Sequence, residues 1–143
     1  HAAKVYFNAL FGKSFSREQD NPINAALNYG YAILLSAVNR EILSLGYITQ
    51  LGLNHCNQFN PYNLGSDLME PLRGFVDAVV NKLRPTEFDR NVKLSLIELL
   101  SEDVKINDTI QTFSAAIRIY CKSVFDALRT QDANQIRFIE YEL

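Results

Sequence analysis

Apolar positions recur every three or four residues along most of this chain, so the elements it predicts are mainly helices. Val5, Tyr6, Ala9 and Leu10 suit a helix over the first eleven residues, ending near Gly12, and Lys13 to Asp20 is a polar loop. Asn21 then reads as an N-cap followed by Pro22 at the first helical position, where the missing N–H costs nothing. A long helix should follow, because Ile23, Leu27, Tyr31, Leu34, Val38, Ile42 and Leu45 keep the helical period and Gly46 suits the residue past its end. Gly30 interrupts that helix at a cost of about 1 kcal/mol relative to Ala, which predicts a close approach by another segment.

From Ile48 to Tyr62 the period is lost, and the segment reads as an Asn-rich loop. Asn63 is the expected cap of the next helix, with Leu64, Leu68, Leu72, Phe75, Val79 and Leu83 as its apolar stripe and Pro71 predicting a kink or an irregular turn. Past Pro85 a second helical hairpin is predicted, with Val92 to Leu100 as one arm and Phe113, Ile117, Tyr120, Val124 and Leu128 marking the other. Between them residues 104–111 alternate around Asn107-Asp108 and suit a short β-hairpin. The fold class is mainly α, one helical domain over residues 1–143.

Composition agrees with this and adds one difficulty. With 143 residues, 48% hydrophobic and 21% charged, the chain can bury a sizeable core without disulfides. Cys56 and Cys121 fit neither a disulfide framework nor a four-ligand zinc site. The longest nearly unbroken apolar run, from Tyr31 to Val38, is too short to span a bilayer, so a cytoplasmic protein without membrane contact is expected. The charge is −2, and it is spread evenly along the chain. A domain that binds nucleic acid through phosphate charge alone should be basic, and by that arithmetic nucleic acid ranks low.

Candidate chemistry concentrates in the Asn-rich loop and the helix after it. His55, Asp67 and Glu70 offer imidazole and carboxylate donors, and Asp67 and Glu70, three apart, share a helix face. Those donors suit a divalent ion such as Mn²⁺ or Mg²⁺. The macrodipole alone also favours acids in the first turns of a helix, by about 0.3–1 kcal/mol, so the pair does not require a metal. Ser66, His55 and Asp67 contain the residue types of a hydrolase triad but lack the strand–turn–helix elbow around the serine. Cys56 beside His55 is not thereby given a base, because sequence neighbours point apart. Tyr6, Phe7, Phe11, Tyr29 and Tyr31 could stack on bases, but their spacing fits core packing better.

Three motifs then carry a resemblance. Asn21-Pro-Ile-Asn-Ala-Ala-Leu-Asn-Tyr-Gly-Tyr31, Gly52-Leu-Asn-His55 and Asn63-Leu-Gly-Ser-Asp-Leu-Met-Glu-Pro-Leu-Arg73 occur in this order, and Ala2-Ala-Lys-Val-Tyr-Phe7 precedes them. Together they resemble the catalytic domain of the CRISPR-associated endonuclease and integrase family, Cas1, in the branch found with type II systems. The likeness is strong over residues 1 to about 80 and weaker beyond.

The resemblance implies a two-domain protein, with a small β-rich dimerisation domain preceding this helical catalytic domain. It implies a metal site made of a Glu, a His and a later acid. His55 matches the histidine and Glu70 the later acid; Asp67 is the candidate for an auxiliary or water-mediated role. The first Glu stands, in that family, just before the Ala-Ala-x-x-Tyr-Phe run, so it is expected upstream of His1, which would leave this piece inactive alone. Asn28 and Arg73 are expected to orient side chains or touch phosphate. The implied partners are double-stranded DNA (the prespacer and the CRISPR repeat), a second copy of the protein in a homodimer, and a small ferredoxin-like adaptation protein. The implied activity is metal-dependent insertion of new spacers by transesterification, in antiviral defence. A competing expectation is an inactive helical scaffold or DNA-binding subunit of a larger assembly.

Overall fold

The computed structural model describes residues 2–51 and 62–140. Helix α1 covers Ala2–Phe11, α2 Pro22–Ser44 and α3 Asn63–Met69. A 3₁₀ turn over Glu70–Leu72 joins α3 to α4, Arg73–Leu83. Then come α5, Arg90–Glu98, a second 3₁₀ turn over Leu99–Ser101, strands β1, Asp103–Ile106, and β2, Thr109–Thr112, and helix α6, Phe113–Thr130. After a third 3₁₀ turn over Ala133–Gln135, strand β3, Ile139–Glu140, closes a small antiparallel sheet in the order β2-β1-β3.

The long helix starts as its sequence dictates. The Asn21 side chain accepts a hydrogen bond from the Asn24 amide at 2.8 Å, Pro22 is the first helical residue, and Gly46 takes φ +83° beyond the last turn. Leu27, Tyr31, Leu34, Val38 and Ile42 are all buried along one stripe of α2, which packs against α3, α4, α5 and α6 and is the spine of the domain. Gly30 lies where α4 and α5 meet this spine: a Cβ there would collide with the Val76 side chain and press on Leu96. The predicted close approach is therefore present.

Three expectations need correction. Asn63 does not cap α3. It is the first helical residue, and its side-chain Nδ2 donates to the Gln50 carbonyl at 3.1 Å, while the Leu64 backbone N–H donates to the Thr49 carbonyl at 2.9 Å. These bonds tie α3 to the chain before the loop and leave no side chain to cap it. The stripe on α4 is also displaced. Leu64, Leu68 and Leu72 are buried as expected, but the buried positions continue as Val76 and Val80, while Phe75 and Val79 are half-buried and Leu83 exposed. The buried positions keep a constant four-residue step through the 3₁₀ turn at Pro71, so a three-residue step after Leu72 lands one residue off the core. Third, the arms of the second hairpin do not pack chiefly on each other: α5 and α6 each lie on α2, and the turn after α5 meets α6.

The short hairpin is present, with Asp103 opposite Thr112 and Ile106 opposite Thr109. Asn107 and Asp108 at its tip have φ +52° and +59°, the pair of left-handed residues a two-residue turn of this type demands. Strand β3 is too short to leave a period in the sequence; Ile139 packs beside Ile106, and the Lys105 ammonium meets Glu140 at 3.2 Å.

Candidate functional site

The 3₁₀ turn after α3 carries Glu70 at its start, and Arg73 opens α4 one turn later, so the two side chains share a face. Arg73 Nη1 lies 3.3 Å from Glu70 Oε1, and both side chains are close to half exposed. They line an open cleft of about 420 Å³, whose other walls are Ala2, Ala3, Tyr6 and Phe7 of α1, Tyr31 of α2, and Pro71, Gly74 and Asp77. The start of α1 thus faces the turn that bears Glu70. The Arg73 guanidinium stands 4.7 Å from the centre of the Tyr31 ring, and its Nε is buried with no hydrogen-bond partner among the described residues.

Beneath the cleft lies a buried carboxylate. Asp77 is 4% exposed, accepts a hydrogen bond from the Tyr31 hydroxyl on one oxygen, and accepts one from the Tyr6 hydroxyl at 2.8 Å on the other. Burial, and then the bond to Asp77, push the Tyr31 phenol well above its ordinary pKa, so it stays protonated and donates. Arg17, from the loop before α2, stands 5.6 Å from the centres of the Tyr31 and Phe7 rings. Its guanidinium donates to Asn24 and, at 2.6 Å, to Asn28. Burial lowers the pKa of this guanidinium, which nonetheless remains charged at any ordinary pH.

Adjoining the cleft, a second groove of about 430 Å³ shares Ala3 and Phe7 with it. Lys4, Lys13 and Arg17 line it together with Ser14, Ser16 and one acid, Glu18. A basic surface therefore exists in a chain whose total charge is negative, and whole-chain arithmetic averages it away.

The predicted site residues distribute unevenly over this geometry. Glu70 and Arg73 come together in the cleft, whereas Asn28 is bonded to Arg17, which lines the second groove. Asp67 is half-buried on α3 and is not among the residues lining the cleft. His55 lies outside the described residues, as does Cys56, so neither the metal pair nor the triad reading can be drawn around them. Among the described residues no three His, Cys, Asp or Glu side chains cluster as a metal site. The donor chemistry still fits a hard cation at Glu70: its carboxylate is half exposed on the wall of an open cleft, whereas both Asp77 oxygens are engaged by phenols. Cys121 is fully buried, and burial pushes its thiol up to about 12, which removes it from nucleophilic chemistry.

Sequence reasoning missed Tyr6, Tyr31, Asp77 and Arg17 as site residues. The aromatic residues were assigned to core packing, which holds for Phe7, Phe11, Tyr29 and Tyr31; Tyr6 is 44% exposed and lines the cleft. The readable signal was Asp77, a carboxylate set beside Val76 on a buried helix face. No helix among the described residues is long and apolar enough to cross a membrane.

Known proteins with similar sequences converge on one family. The family described as "CRISPR associated protein Cas1" matches residues 2–140. The CRISPR-associated endonuclease Cas1 of Neisseria meningitidis serogroup C is 37% identical over 144 residues, which is 97% of this chain and 47% of that protein. A CRISPR-associated endonuclease Cas1 of Pyrobaculum aerophilum is 41% identical over 89 residues, 59% of this chain and 30% of its own length. The chain thus spans about half the length, or less, of these relatives. Among solved structures, a casposase bound to its integration product superposes with a TM-score of 0.75 at 23% identity, over 99% of this chain and 52% of that one, and this likeness shows the fold.

Proposed function

Because this chain belongs to the Cas1 family, we propose that it is the helical catalytic domain of a DNA endonuclease and integrase that inserts spacers into a CRISPR array, with Glu70 and His55 as two ligands of its divalent ion. The observation that carries this reading is the cleft in which Glu70 faces the first residues of α1. The resemblance puts the remaining Glu ligand just upstream of α1, whose Ala2 and Ala3 line that cleft. The β-rich dimerisation domain, the homodimer and the small ferredoxin-like partner belong to the same proposal.

A Mn²⁺ or Mg²⁺ ion held by these ligands would lower the pKa of the attacking hydroxyl and polarise the scissile phosphate. Glu70 and His55 supply the oxygen and nitrogen donors that hold it. Arg73, whose side chain is close to half exposed at the cleft, would draw in a phosphate oxygen and offset charge as it builds on the phosphoryl group. Lys4, Lys13 and Arg17 form a track for the phosphates of the incoming strand, directed toward the cleft across α1. The 3′-hydroxyl oxygen of the incoming strand forms a bond to phosphorus as the repeat strand's bridging oxygen departs. Water in place of that hydroxyl gives cleavage. A casposase captured with its integration product on the same fold supports strand transfer as the reaction.

In the complete protein, His55→Ala or Glu70→Ala should reduce metal-dependent joining of a duplex to a repeat-containing target to background, with an unchanged circular dichroism spectrum. Wild-type joining by both variants, measured in a gel-based integration assay, would overturn the site.

A further inference from the structure

Helix α1 has no buried residue of its own, yet it forms one wall of the cleft. Its C-terminal half is held by rings and a cation: Phe11 meets Phe15 at 4.9 Å between centres, the Arg84 guanidinium lies 5.5 Å from the Phe11 ring, and Arg84 also donates to the Leu10 carbonyl. Its N-terminal half, the part beside Glu70, is tied to the domain through the Tyr6 hydroxyl, which donates to Asp77 at 2.8 Å. Asp77 is fixed in turn, since it is buried in α4 and its other oxygen accepts from Tyr31 of α2. Asp77 lies on the helix that Glu70 leads into, so a single carboxylate joins the two walls of the cleft through three helices.

We infer that Tyr6 and Asp77 are positioning residues: the Tyr6–Asp77–Tyr31 bridge sets the distance between the start of α1 and Glu70, and so presets the metal site. The inference rests on the reading of the cleft as that site. A phenol bonded to a buried acid suits the task because both groups are rigid and the acid is only 4% exposed. Groups one step removed from a metal's ligands orient those ligands, and losing one typically costs about 10–100-fold in metal affinity or activity.

Tyr6→Phe removes one oxygen from a 44% exposed side chain and should leave the fold intact; Asp77→Asn keeps an acceptor but loses the charge. In the complete protein, hydrogen exchange followed by mass spectrometry should show faster exchange over residues 2–10 in Tyr6→Phe, with α6 unchanged. Isothermal titration of the same variant with Mn²⁺ should give a dissociation constant raised about tenfold. Unchanged exchange in α1 overturns the inference. So does faster exchange with wild-type Mn²⁺ affinity, when Glu70→Gln abolishes binding in parallel. Wild-type protein that binds no Mn²⁺, and so behaves like Glu70→Gln, refutes the reading of the site itself and takes the inference with it.

Discussion

Gly30 shows how much a single absent carbon can decide. Helix propensity alone favours Ala there by about 1 kcal/mol. A Cβ would meet Val76, a β-branched side chain 1% exposed, together with Leu96, also 1% exposed, so neither neighbour can rotate away. Overpacking of this kind costs about 1–3 kcal/mol or more and outweighs the propensity gain. Gly30→Ala should therefore lower the stability of the domain in urea denaturation, while stabilising an isolated α2 peptide by circular dichroism; a more stable domain would show that α4 shifts freely. The site residues divide along a similar line. Glu70 and Arg73 were singled out by the resemblance of one motif, and the turn that brings the two together is local. Asp77 joined to Tyr6 spans 71 positions of sequence, and to Tyr31 spans 46. No period or spacing encodes such a pairing, and only a carboxylate amid apolar neighbours hints at it.

Elements with strong local chemistry were legible in outline. The start of α2 is specified by Asn21 and Pro22, its end by Gly46, and the hairpin by alternation around two residues that tolerate left-handed backbone. What escaped were features set by tertiary demands: which of the apolar residues of α4 face the core, the binding of α3 to Thr49 and Gln50, and the two-residue strand β3. The hairpin gives the clearest test at this scale. Asp108 holds φ +59° at an exposed tip, where its side chain meets Lys105 at 3.7 Å and the pairing is weakened by solvent. Asp108→Val introduces a β-branched residue into that conformation and should cost about 1–2 kcal/mol in thermal or urea unfolding. An unaffected midpoint would mean that the turn can adopt another type without disturbing β1 and β2.

Across the whole molecule, charge and packing are both distributed less evenly than their totals suggest. A formal −2 coexists with a basic groove against α1, so net charge was a poor guide to what the surface can bind. Packing is centred on α2, which touches α3, α4, α5 and α6, while α1 rests on the outside. That arrangement has a kinetic consequence. Because its partners come from every later helix of the chain, α2 is expected in the folding nucleus, with α1 docking after the barrier. Val38→Ala, at a position with no exposed surface, should slow refolding and give a φ-value of about 0.5–0.8 in a chevron plot. Phe7→Ala should leave the refolding rate nearly unchanged and speed unfolding instead. If the two variants shift the same arm of the chevron, α1 and α2 form together. If they separate, the wall of the cleft that carries Tyr6 is the last part of the domain to assemble and the first to leave.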